Sequence, residues 1–123
     1  MHRILIVEDN EKNMKLVRDV LQAKGYVTIE AGTGEDGVRL AIEHKPDLIL
    51  MDIQLPGISG IVALRELRAN PETAKIPAIA VTASVMQQDR KHIMEAGFDG
   101  YLGKPINLKE FLDAVRGMLE RDA

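Results

Sequence analysis

Five residues with chemically useful side chains stand at the C-terminal ends of apolar runs. Glu8 and Asp9 follow RILIV, Asp52 follows DLILM, Thr82 follows PAIAV, and Lys104 lies just past YL. In a parallel α/β sheet such ends share one edge, which is where open sheets place their sites. Three carboxylates gathered there repel one another and raise one another's pKa unless a cation joins them. Mg2+ suits that role, because it takes hard oxygen ligands and keeps waters, leaving room for phosphate oxygens. A carboxylate can itself attack phosphorus. Asp52 ends what reads as the most buried strand, between the other groups, and is expected to be the phosphoacceptor, with Asp9 a direct metal ligand and Glu8 holding metal-bound water. Phosphoryl oxygens need further donors, which the Lys104 ammonium and the Thr82 hydroxyl can supply. Pro105 constrains the turn after Lys104 and admits a cis peptide there. Taken singly, each group has a plainer explanation: a solvated strand end, a β-branched strand residue, a surface lysine. The set, placed at successive strand ends, is what points to chemistry.

The elements that must position these groups are legible from periodicity. Arg3–Val7, Leu48–Met51 and Ala78–Val81 read as buried strands, Val27–Ala31 as a strand nearer an edge, and Tyr101-Leu102 as a last short one. Helices are expected over Asn13–Lys24, from Thr33-Gly34 to His44, and over Ile61–Ala69, Met86–Ala96 and Leu108–Glu120. Their inward positions are expected to be Met14, Val17 and Leu21, widened by Leu16 and Val20; Val38, Ala41 and Ile42; Ile61, Leu64 and Leu67; and Leu108, Phe111, Leu112, Val115 and Leu119. Gly25, Pro46 and Gly97 act as stops. The alternation gives an α/β fold of (βα)5 type, a parallel sheet with helices on both faces, in one domain over residues 1–123.

Composition narrows the function classes. Of 123 residues, 46% are hydrophobic and 28% charged, a globular balance. A net charge of -3 argues against a broad nucleic-acid footprint. Two Phe, two Tyr and no Trp offer no stacking platform, and no helix-turn-helix is present to bind DNA. Cysteine is absent, which rules out disulfide and thiolate chemistry. The N-terminal apolar run is too short for a signal peptide or membrane span, so a cytoplasmic location without membrane insertion is expected. His2, His44 and His92 are scattered over different elements and form no ligand set.

The segments ILIVEDN, DLILMDIQLPGISG, PAIAVTA and YLGKP occur in this order and spacing across essentially the whole chain. Together they resemble the receiver domain of two-component response regulators, the CheY-like family. ILIVEDNEKNMKL and KPDLILMDIQLPGISG are most similar to stand-alone cell-division regulators and phosphorelay receivers. The resemblance implies a flavodoxin-like sheet of strand order 2-1-3-4-5. It also implies phosphorylation of Asp52 and metal ligation by Asp9, Asp52 and the main-chain carbonyl of Gln54, with Glu8 as the second acidic member. Lys104 would contact the phosphoryl group ahead of a cis Pro105, and Thr82 would bond a phosphoryl oxygen. Tyr101 would be an aromatic switch that turns inward when Thr82 moves; its plainer role is that of a half-buried tyrosine packing beside the last strand. Ala83 is small and leaves the site open. Gly103, Gln54 and Ser84 stand at positions that vary within the family.

The implied partners are a histidine kinase or histidine phosphotransfer protein as donor and a downstream protein target, with recruitment to a membrane kinase or a cell pole. The implied protein is a monomer or a weak dimer on phosphorylation. It catalyses only its own phosphorylation and slow dephosphorylation. The signalling face would run over Met86–Glu95 and Lys109–Arg121, with Arg90, Lys91, His92, Arg116, Arg121, Met94 and Met118. The two methionines serve equally well as adaptable contacts or as core filler. Asn10 and Asn13 could touch a partner, and Asn10 serves equally as a helix cap. Three rival readings fit the residues less well. A haloacid-dehalogenase-type phosphatase wants Asp-x-Asp, where this chain has Asp-x-Gln. A flavodoxin-like FMN carrier wants a phosphate-cradling loop where EDNEKN is acidic. A receiver-fold scaffold that is never phosphorylated sits poorly with the intact acid set and Lys104.

Overall fold

A computed structural model describes residues 2–83 and 87–121. Ser84, Met86 and the side chain of Arg121, all named above, lie outside that description. The order is β1 (Arg3–Val7), α1 (Glu11–Ala23), β2 (Val27–Ala31), α2 (Gly34–His44), β3 (Leu48–Asp52), α3 (Gly60–Ala69), β4 (Ala78–Thr82), α4 (Gln87–Ala96), β5 (Gly100–Gly103) and α5 (Leu108–Arg121). All strand pairs are parallel, in the order β2-β1-β3-β4-β5. The order reverses at β1/β3, the switch point beside which open sheets bind ligands.

Strand side chains alternate between two cores. Leu5, Val7, Ile49, Met51, Ala78 and Ala80 pack with Ala41, Ala63, Leu64, Leu67, Ile93 and Ala96 of α2, α3 and α4. Ile4, Ile6, Leu48, Leu50 and Ile79 pack with Met14, Val17, Leu21, Phe111, Val115 and Leu119 of α1 and α5. Every residue of β3 and β4 is buried, as both-face coverage requires.

Several helix faces differ from expectation. Helix α1 begins at Glu11, two residues early, because the Asn10 side chain accepts the Asn13 N–H (3.1 Å) and caps it. Asn10 is thus the helix cap. Leu16 is 43% exposed and Leu108 42%; each falls outside the stripe its helix turns inward. Helix α2 docks through Gly34, Gly37 and Ala41, with Val38 and Ile42 only half-buried. The approach is close: a Cβ on Gly37 would lie 2.8 Å from Cγ2 of Val7.

At the far end of the sheet Arg68 stitches three segments together. Its guanidinium donates to the carbonyls of Gly97 (3.1 Å), Ala74 (3.1 Å) and Ile76 (2.7 Å) and pairs with Asp99 (3.2 Å). Asp99 also accepts the Ala78 N–H at 2.9 Å. Burial lowers the Arg68 pKa, and the Asp99 charge opposes that shift. No described helix is long and apolar enough to cross a membrane.

Candidate functional site

The strand register brings the predicted groups to one edge. Val7 stands beside Met51, so the next residues, Glu8 and Asp52, are neighbours. Asp52 stands beside Val81 and Thr82 beside Gly103, so Thr82 and Lys104 follow one step further on. Backbone bonds fix these ends: the Glu8 N–H donates to Ala31 (3.0 Å), Ile53 to Val81 (3.1 Å) and Lys104 to Thr82 (2.9 Å). The β3–α3 connection holds Asp52 from behind. A Cβ at Gly60 would collide with the Asp52 carbonyl oxygen, so only glycine lets α3 start this close.

Lys104 is the hinge of the electrostatics. Its Nζ lies 2.7 Å from Asp52 Oδ2 and 3.1 Å from Glu8 Oε1, with Glu8 and Asp52 both buried. The other Asp52 oxygen, Oδ1, accepts the Gln54 N–H at 3.0 Å. Asp9 is exposed, and one oxygen from each of Glu8, Asp9 and Asp52 falls within 4.8 Å of the others. Burial, reinforced by Asp52 and opposed by Lys104, pushes the Glu8 carboxyl up from 4.5 to about 7. For Lys104, burial pulls the ammonium down, but its bonds to Asp52 and Glu8 outweigh that and leave its pKa raised.

Those carboxylates suit a hard divalent cation. Three oxygens converge, and Glu8 Oε2 is buried with no hydrogen-bond partner among the described residues. An orphaned buried acceptor beside two other carboxylates is what a small oxygen-seeking ion satisfies.

Thr82 and Tyr101 fall on the other side of the sheet from Asp52. Thr82 continues the alternate set of Ala78 and Ala80, and Tyr101 pairs in register with Ala80. Tyr101 is half-buried against the α2–α3–α4 core, with the Arg90 guanidinium carbon 5.2 Å from its ring centroid. Sequence reading placed Arg90 on a charged face and missed this contact, since nothing local marks a pair eleven residues apart in sequence across two elements. The Lys104–Pro105 peptide is cis, and Ala83 is exposed. On the expected signalling face, Met94 is 47% exposed while Met118 packs half-buried against the α1–α5 core.

Known proteins share this architecture. Residues 4–116 match the response regulator receiver domain. The chain is 47% identical over 116 residues to the polar-differentiation response regulator DivK of Brucella anthropi, covering 94% of each chain, and equally so to that of Brucella melitensis. Among solved structures, it resembles the receiver domain of a Pseudomonas aeruginosa sensor histidine kinase, crystallised with a magnesium ion coordinated in its active-site cleft. The TM-score is 0.90 at 35% identity, over 97% of this chain and 98% of that one. The Vibrio cholerae chemotaxis protein CheY4 shares the fold, with a TM-score of 0.92 at 24% identity over 97% and 99% of the two chains. With the family's domain matched over nearly the whole chain and relatives at 47% identity, this chain is a member of the response regulator receiver domain family.

Proposed function

We propose that residues 1–123 form one receiver unit, a phosphoacceptor of a two-component or phosphorelay pathway, with Asp52 as the accepting residue. The observation that carries this reading is the buried Asp52 carboxylate bonded at 2.7 Å to Lys104 beside Glu8 and Asp9. Glu8, Asp9, Asp52 and the main-chain carbonyl of Gln54 are the residues proposed to hold Mg2+. When bound, the ion supplies positive charge that offsets the carboxylates and the phosphoryl oxygens.

The chain's own groups do the rest. An Asp52 oxygen attacks the phosphorus of a phosphohistidine on a kinase or phosphotransfer protein. A P–O bond forms, the P–N bond breaks, and the imidazole keeps the electron pair. Lys104 then has a phosphoryl oxygen to bond in place of a bare carboxylate. Water later attacks phosphorus, returning Asp52 and inorganic phosphate. The chain thus catalyses its own modification and turns over no separate substrate.

The acyl phosphate adds charge and acceptor oxygens. Thr82 reaches toward them, Tyr101 follows, and the surface of α4, β5 and α5 shifts its population between two states. A histidine-kinase-type protein is the donor and another protein the reader, with polar recruitment the finer expectation from the Brucella DivK resemblance.

The test is intact mass after incubation with Mg2+ and acetyl phosphate. Wild type should gain one phosphoryl group and Asp52→Asn none. An equal gain in the variant, or no gain in wild type, rejects the assignment.

A further inference from the structure

A second surface feature lies apart from the acid–lysine edge. A groove of about 420 Å3 is lined by Lys24, Tyr26, Lys109, Leu112, Asp113 and Arg116. Lys24 is the C-cap of α1, and Tyr26 precedes β2. The four α5 residues recur at spacings of three and four, so they share one helix face, which borders the buried stripe of Phe111, Val115 and Leu119 with Leu112 packed at its margin. Tyr26 and Leu112 are half-buried, while the three cations are exposed.

The charges of the groove are unevenly paired. Arg116 engages the one acid, Asp113, at 3.1 Å. Lys24 and Lys109 pair with no carboxylate among the described residues. Lys24 stands at a helix C-terminus, where a cation complements the dipole, but Lys109 stands in the first turn of α5, where it opposes it. Lys109 shares that first turn with Glu110, and with no ion pair of its own among the described residues it is free to meet a charge outside the fold. Three cations against one anion also leave the groove positive on a chain of net charge -3.

We propose that this groove docks an acidic segment of a protein partner. Aspartates and glutamates of the segment would face Lys24, Lys109 and Arg116, and one apolar side chain would rest on Tyr26 and Leu112. A few cations around a small apolar floor fit a short peptide better than a duplex, whose phosphates need an extended basic track. They also fit it better than a lipid surface, which needs a broad apolar face.

The test titrates the 15N-labelled full chain, without Mg2+ or phosphodonor, with a synthetic peptide of aspartate and glutamate carrying one central leucine. Amide shifts should concentrate at residues 24–26 and 109–116. Lys24→Glu combined with Lys109→Glu should weaken binding at least about tenfold while native amide dispersion is kept. Arg116→Gln, a milder change, should weaken it several-fold. A peptide of equal charge without leucine should bind more weakly, and Asp52→Asn should bind like wild type, which separates this outcome from the fate of the phosphoryl reading. The proposal is overturned by an absence of shifts, by shifts centred on Arg90 and Lys91, or by affinity unchanged in the charge variants. Preference for a DNA oligomer or phosphatidylglycerol vesicles over the peptide overturns it too.

Discussion

Helices α4 and α5 flank the same edge strand yet are held very differently. Helix α5 buries Phe111, Val115 and Leu119 in the core it shares with α1. Among its described side chains α4 buries only Ile93 and Ala96 and leaves Arg90, Lys91, His92, Met94 and Glu95 in solvent. The strands repeat the contrast, since all five residues of β3 are buried and all four of β5 are half-exposed. Burial of apolar area is what holds an element down, and elements with little of it open and shift first. The proposed chemistry thus sits on the tightly packed centre, and the side with fewest anchors, α4 and β5, is the one free to respond. Arg68, binding the Gly97 carbonyl, ties down the C-terminal end of α4 and leaves the remainder lightly held.

The sharpest way to break this contrast is at Lys104. Lys104→Met removes the cation shared by two buried carboxylates and should slow phosphoryl uptake by about 100-fold or more. Mass-resolved uptake rates check this, and a near-wild-type rate would show that the centre does not depend on its lysine.

Next in size is a pH effect confined to the centre. In metal-free protein Glu8 titrates at about 7 instead of 4.5, so the folded state holds that proton more tightly than the unfolded chain does. The stability linked to it is full below about pH 4.5 and falls as pH rises through 7, by up to about 3 kcal/mol. Urea midpoints at several pH values, wild type minus Glu8→Gln, should show this fall, and added Mg2+ should remove it by favouring the ionised carboxylate.

Gly60→Ala should destabilise by about 2 kcal/mol, because its Cβ meets the Asp52 backbone. It should also slow uptake, which an equally destabilising change at the groove end of the molecule should not do. The smallest effect belongs to the lightly held side. Arg90→Gln removes the cation over Tyr101, worth about 0.5–1 kcal/mol. It should shift the Tyr101 side-chain populations, read by NMR couplings, while leaving the uptake rate unchanged.

Much of the centre was legible because its signals are local. Continuous apolar runs gave β1, β3 and β4 to within a residue, and the groups after them fell at one edge because parallel strands run in register. What escaped were features set by distant partners. The glycines of α2 gave no apolar signal, yet Gly34 and Gly37 form its docking face by letting Ile58 and Val7 approach. Polar residues at the start of α1 hid its first turn, which the Asn10 cap supports. Leu16 and Leu108 matched the helical period but lie off the buried stripe. Glu8 and Asp9, adjacent in sequence, separate into buried and exposed because strand alternation carries only Glu8 inward with Ile4 and Ile6. The pairs Arg68–Asp99 and Arg90–Tyr101 have no sequence signature at all.

The most direct test of the account is amide hydrogen exchange on the full chain before and after phosphorylation by acetyl phosphate with Mg2+, with modification verified by mass. The account predicts altered protection that is largest across residues 87–103 and smaller in the more firmly packed α5, with β1 and β3 unchanged up to the site. A change confined to α1 and α5, or no change in a fully phosphorylated sample, would contradict it.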